Sequence, residues 1–222
     1  MFDNIAPRYD LLNHLLSFGI DKIWRKNVVK QLKGLTAPLV LDVATGTGDL
    51  AIEITKIDPV AVYGVDLSQE MLNIARKKIE KKRMHMTIQL KQGDSESLPF
   101  EDRFFDAATV AFGVRNFENL QKGLREIYRV LKHGGRLVIL EFSRPKVFPF
   151  KQLFYFYMRR ILPWWGGIIS RDKEAYEYLP ESALQFPEGK AFGKELENAG
   201  FEWQKVIAQT FGIATIYVAV KK

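Results

Sequence analysis

The stretch "LDVATGTGDLA", Leu41–Ala51, decides the fold. An apolar run ends in Gly46-Thr47-Gly48, and a small residue, Ala51, follows shortly after. A strand that feeds a glycine loop and then a helix is the usual cradle of a nucleotide-type cofactor. Two ligand chemistries fit such a loop: a hydride carrier, which has a pyrophosphate, and a methyl donor, which has none.

Gly46-x-Gly48-x-x-Ala51 passes as a dinucleotide fingerprint, and Asp66 follows at nearly the distance a ribose contact needs. The details favour the other ligand. In the hydride-carrier version the first glycine directly follows the strand, which brings the pyrophosphate to the helix N-terminus. Here Asp42-Val43-Ala44-Thr45 intervenes. Carboxylates at Asp42 and Asp49 would repel a pyrophosphate. They suit a ligand that carries an ammonium and a sulfonium and no phosphate, which describes S-adenosylmethionine. Gly46 and Gly48, with Thr47 between them, let the backbone approach that ligand closely.

Outward from this loop, strand-like and helical patterns alternate. Leu39–Val43 is continuous and apolar, as a strand buried on both faces should be. Ala61–Asp66 is the second strand, and Ser68 is a good N-cap for a helix with Met71, Leu72, Ala75 and Ile79 on one face. Thr87–Lys91 and Asp106–Phe112 are the third and fourth strands. Phe117, Leu120, Leu124, Ile127 and Leu131 recur at helical spacing, and His133-Gly134-Gly135 should stop that helix before a fifth strand, Arg136–Phe142. Phe201–Ala208 and Ala214–Val220 are joined by too short a link for a helical crossover, so they should pair antiparallel. The expected fold is α/β: a doubly wound, mostly parallel seven-stranded sheet closed by a C-terminal antiparallel hairpin, the outline of class I methyltransferases. It forms a single domain, 1–222, with an N-terminal helical cap over 1–37 and an inserted segment over 144–186.

In such a sheet ligands bind at the carboxyl ends of the strands. Asp66 ends the second strand, where a carboxylate can accept both ribose hydroxyls, and Leu67 adjoins it. Asp94 and Ser95 follow the third strand, placed for the adenine amino group. Ala111 and Phe112 end the fourth, placed for the methionine side. Singly, each Asp also reads as a helix cap or turn former. Acidic strand ends in series beside a Gly-x-Gly loop read together as a cofactor site.

Composition sets bounds. The chain of 222 residues has 47% hydrophobic and 27% charged residues and no cysteine. It has room for one α/β domain, and it offers no disulfide, thiolate metal site or cysteine nucleophile. No metal is expected. The start lacks the basic and apolar regions of a signal peptide, and no apolar run approaches the ~18 residues of a membrane span. The net charge is +7 and the pI near 9.4. Its densest basic run, "RKKIEKKR" (Arg76–Arg83), falls at a helix end, where cations complement the dipole. Nucleic acid is not an expected partner, because the aromatics concentrate in one apolar segment, Val147–Ile169, with Lys151, Arg159 and Arg160 interspersed. That segment reads as a membrane-surface or substrate-lining element, with a homodimer contact or a core cover as the alternative. The expected location is cytoplasmic, peripheral to the inner face of the membrane.

Four stretches carry a family resemblance. "YDLLNHLLSFGIDKIWR" (Tyr9–Arg25) and "RVLKHGGRLVILEFS" (Arg129–Ser143) resemble the two signature stretches of the ubiquinone/menaquinone biosynthesis C-methyltransferase family. "FGVRN" (Phe112–Asn116) and "EYLPESALQFP" (Glu177–Pro187) are similar to further segments of it. The resemblance implies methylation of a ring carbon on a polyprenylated quinol, either demethylmenaquinol or a methoxy-benzoquinol, with Thr47, Asp66, Asp94 and Ser95 as cofactor contacts. The chain departs from the usual pattern at His14, Asp21 and His133. An RNA, protein or other small-aromatic methyltransferase is the alternative, and a nicotinamide dehydrogenase a third reading.

Ring carbon is nucleophilic only in the reduced quinol, so the chemistry needs a positioned ring and a stabilised phenolate. Arg115, just after the fourth strand, is the expected phenolate stabiliser; its guanidinium stays protonated and is a poor base. Asn116 offers a second hydrogen bond or caps the next helix. Tyr9 closes over the substrate or packs as a core aromatic. His14, His133 and Glu141 are the available bases.

Overall fold

The computed structural model describes residues 17, 19–157, 160 and 182–222. Tyr9, His14, Arg159, Trp164 and Trp165 lie outside them, as do residues 161–181 of the aromatic insertion.

The sheet has seven strands in the order β3-β2-β1-β4-β5-β7-β6. They are β1 (Leu39–Val43), β2 (Ala61–Asp66), β3 (Ile88–Gln92), β4 (Phe105–Ala111), β5 (Leu131–Phe142), β6 (Phe201–Gln209) and β7 (Ala214–Lys221). β1 to β5 pair in parallel, while β7 runs antiparallel between β5 and β6. The doubly wound sheet and its terminal hairpin are those expected from the sequence.

Helices cover both faces: α1 (Ile20–Lys30), α2 (Asp49–Ile54), α3 (Gln69–Lys81), α4 (Leu120–Val130), α5 (Phe150–Phe156) and α6 (Lys190–Asn198). Strand alternation divides the core between them. Leu41 and Val43 pack with Leu124, Ile127, Phe192 and Tyr217 on one side. Val40, Val62 and Val138 pack with Trp24, Val28, Leu50 and Ile79 on the other. Ser68 caps α3 by accepting from the Met71 N–H at 3.2 Å. Asn119 caps α4 by accepting from the Lys122 N–H at 3.0 Å, so Asn116 is not the cap of that helix.

One local expectation changes. His133-Gly134-Gly135 does not separate helix from strand. β5 begins at once with buried Leu131 paired to Phe105, and the register then jumps to Ala107–Arg136. The residues between form a bulge, where Gly134 takes φ 74°. Of the expected N-terminal cap, residues 1–16 and 18 lie outside the described residues. Helix α1 ends at Lys30, and its Trp24, Val28 and Val29 are core residues.

Candidate active site

The strand order reverses between β1 and β4, and a cleft opens there at the carboxyl ends of the strands. Its cavity volume is about 140 Å³, and it opens to solvent. Gly46, Asp66, Leu67, Asp94, Ser95, Ala111 and Asn116 all line it, so the strand ends singled out in the sequence converge on one space. A smaller recess of about 30 Å³ adjoins it, lined by Asp42, Thr45, Thr47 and Asp49, and shares Ala44, Gly46, Ala111 and Phe112 with the cleft.

Two of the eight described non-glycine residues with positive φ stand at this junction. Ala44 follows β1 with φ 53° and Phe112 follows β4 with φ 58°, both in the left-handed region. Such residues persist only where their surroundings hold them, and they cluster at ligand sites. A Cβ on Gly113 would lie 2.5 Å from the Ala44 Cβ, so these two strand ends approach as closely as their backbones permit. Gly46 has φ 56° and nothing within 4 Å of where a Cβ would stand, which leaves that space to a ligand. Gly48 differs. It does not line either recess; it precedes α2 at φ 81°, and its Cβ position is 3.1 Å from the Ala75 Cβ. It packs against α3, beside the recesses and apart from the loop residues that line them.

The carboxylates play distinct parts. Asp66 accepts from the Gly46 N–H at 2.7 Å and from the Ser68 N–H at 2.9 Å, tying the end of β2 to the glycine loop. The Gly46 amide, one a pyrophosphate would need, is thereby taken by a carboxylate. Asp94 accepts from the Glu96 N–H at 2.8 Å in a turn at the exposed rim. That loop is fixed from below by Arg129, which donates to Leu98 O and Phe100 O and pairs with Glu126 and Asp102.

Asp42 is 1% exposed. The sheet register sets it opposite Thr109, whose hydroxyl donates to it at 2.7 Å, and Thr45 donates at 2.6 Å. Burial pushes its pKa up to about 6 against the pull of the two hydroxyls and the Arg25 charge. Asp49 and Thr47 are less open than expected. Lys78 of α3 donates to Asp49 at 2.6 Å and to Thr47 at 3.0 Å.

Arg115 is placed differently from the expectation. It lines neither recess. Its guanidinium makes a 2.6 Å ion pair with Glu141, with side chains only 6% and 0% exposed, and donates to Phe112 O at 2.7 Å. Glu141 is thus a buried counter-ion to the Arg115 charge. Asn116 does line the cleft, with its amide also donating to Phe112 O at 3.3 Å. His133 is remote: its Nδ1 meets Lys222 O at 2.7 Å. Among the described residues no group of three or more His, Asp or Glu side chains is arranged to hold a metal ion.

Sequence reasoning missed Ala44, Gly93, Gly113, Met71 and Arg25 as lining residues. The first three are small residues beside strand ends, a signal available in principle. Arg25 gave none, since nothing local says where α1 docks.

The comparisons agree with this geometry. The model of the "ubiE/COQ5 methyltransferase family" matches residues 1–221. A demethylmenaquinone methyltransferase of Bacteroides fragilis is 47% identical over 222 residues, covering 100% of this chain and 91% of that protein. A ubiquinone/menaquinone biosynthesis C-methyltransferase UbiE of Geobacter sp. is 48% identical over 223 residues, covering 100% and 94%. Among solved structures, a SAM-dependent methyltransferase of Aquifex aeolicus superposes with a TM-score of 0.66 at 22% identity, covering 89% of each chain, a likeness of fold. With a family model across nearly its whole length and relatives at almost half identity, this chain belongs to the ubiE/COQ5 methyltransferase family, and it is a methyltransferase.

Proposed function

We propose that the enzyme transfers a methyl group from S-adenosylmethionine to a ring carbon of a polyprenylated quinol, demethylmenaquinol or a methoxy-benzoquinol. The observation that carries this reading is the convergence of Gly46, Asp66, Asp94 and Asn116 on one cleft at the sheet's switch point. The donor set suits that cofactor: carboxylates for its ribose, adenine and ammonium groups, and an open glycine where its chain passes. The relatives' names supply the substrate class.

When bound, the cofactor supplies an electrophilic methyl on a sulfonium. Asp66 would receive the ribose hydroxyls, and Leu67, 71% exposed at the rim, would cover the adenine beside Asp94 and Ser95. Ala111, Phe112 and Gly113 would give the ring an apolar floor, and the Asn116 amide, at the cleft wall, would hydrogen-bond the ring oxygen. Loss of that oxygen's proton to solvent would raise electron density on the ring carbon, which would take the methyl as its bond to sulfur breaks and S-adenosylhomocysteine leaves. The ring proton would then pass to solvent and aromaticity return. Arg115 acts through Asn116 and Phe112, by fixing the turn that carries both.

A peripheral membrane contact belongs to the same proposal. The described part of the insertion exposes Val147 (63%), Phe148 (77%), Leu153 (59%) and Phe156 (60%), and Phe211 (64%) stands beside it, stacked on Phe150 at 3.7 Å. Lys146 and Lys151 flank these side chains and are exposed. Among the described residues no helix is long and apolar enough to cross a membrane, so the apolar face suits an interfacial seat.

The test is direct. The protein is incubated with methyl-labelled cofactor and reduced naphthoquinols or methoxy-benzoquinols, and the products are mapped by mass spectrometry. Label on a ring carbon supports the reading; label on oxygen, or transfer to the oxidised quinone, overturns it.

A further inference from the structure

Arg25 has no part in the steps above, yet it lines the smaller recess with Asp42, Thr45, Thr47 and Asp49. It is the one cation among the described residues lining either recess. Its side chain is 11% exposed, and Asp21, one turn back on α1, receives a hydrogen bond from Nη1. Asp49 Oδ2 lies 4.0 Å from the same nitrogen. A guanidinium has five N–H donors in a rigid fork, and among the described residues only Nη1 is engaged. Its charge acts on Asp42, whose two oxygens each already accept one hydroxyl.

A guanidinium and a buried carboxylate facing one small recess match a zwitterion. A plain anion would meet Asp42 and Asp49; a plain cation would meet Arg25. An α-amino acid end satisfies both, with its carboxylate on the planar fork and its ammonium on the carboxylate. The recess joins the main cleft through Ala44, Gly46, Ala111 and Phe112, so one ligand can extend across both.

We propose that Arg25 recognises the α-carboxylate of the cofactor's amino-acid end, with Asp21 holding the guanidinium in place and Asp42 receiving the α-ammonium. The inference rests on the cleft being an S-adenosylmethionine site. It also gives α1 a function. Trp24, next to Arg25, packs on Phe112 and Phe142 with ring centroids 6.0 and 6.4 Å away, so the carboxylate would tie this helix to the cleft floor.

The experiment compares two ligands by calorimetry. S-adenosylhomocysteine carries the amino-acid end; methylthioadenosine keeps the nucleoside and sulfur but lacks it. Arg25→Gln should weaken S-adenosylhomocysteine by roughly 10- to 100-fold, the range for a charge-assisted hydrogen bond. Methylthioadenosine binding should stay at the wild-type level, which also shows that the variant is folded. Arg25→Lys should fall between, because it keeps the charge and loses the fork. An equal loss for both ligands would mean that Arg25 only holds α1 in place, and no loss for either would remove it from the site. Both results overturn the inference while leaving the cleft assignment standing. Should the wild type bind neither ligand, the cofactor reading of the cleft fails as well.

Discussion

Replacing Asp42 by Asn separates what this carboxyl does for the fold from what it does for the ligand. Asp42 is 1% exposed between two threonine hydroxyls, and burial pushes its pKa up to about 6 from an ordinary value of 3.8. The native state therefore holds this proton through roughly two pH units in which the unfolded chain has already lost it. The contribution to stability is fully present below about pH 4 and is lost as pH rises through about 6. Above that, the ionised buried carboxylate costs about 3 kcal/mol. Asparagine cannot ionise, and either threonine hydroxyl can turn to accept from its amide. In urea unfolding without ligand, the variant minus wild-type stability should rise by about 3 kcal/mol from roughly pH 4 to pH 8, leaving the variant the more stable protein at neutral pH. Taking the difference cancels the other titrating groups. S-adenosylhomocysteine should nevertheless bind the variant more weakly, because the partner of the ammonium is gone. A pH-independent difference, or a variant less stable than wild type at pH 8, would refute the reasoning: Asp42 would then be a fully satisfied carboxylate that folding favours in its charged form.

Three further outcomes follow from the same geometry. Asp66→Ala should weaken S-adenosylhomocysteine by about 2–3 kcal/mol in calorimetry, through lost ribose contacts and release of the Gly46 loop; unchanged affinity would place the ribose elsewhere. Arg115→Met should cost roughly 3–5 kcal/mol in denaturant unfolding by stranding Glu141, while Arg115→Met with Glu141→Leu should recover most of it. Full methylation by the stable double variant would show that Arg115 never touches the ring. Phe148→Ser with Phe156→Ser should reduce sedimentation with anionic vesicles yet spare turnover of a short-chain, water-soluble quinol. Normal vesicle binding by that variant would remove the described part of the insertion from any membrane contact, and loss of a dimer in its place would reveal a subunit interface.

Much of this site was legible in one dimension because its parts are local. A strand must end where its apolar run ends, Ser68 caps the helix it precedes, and the cleft of a doubly wound sheet lies at the strand ends whatever the side chains are. Those rules placed Gly46, Asp66, Asp94, Ser95 and Ala111 around one space. They failed where a residue's role depends on a neighbour far along the chain. The close packing of Gly48 on Ala75 appears only once α3 is docked. Arg115 follows β4 as expected, but Glu141, 26 positions later, pairs with its guanidinium. Asp42 gains its buried, proton-holding character from Thr109, 67 positions away, through the β1–β4 register. The docking of α1, which sets Arg25 beside Asp42, rests on Trp24, Val28 and Val29 packing against residues from several strands. Periodicity tells a side chain which face it occupies; only closure of the sheet, with its long-range register and helix packing, decides which charge it meets there.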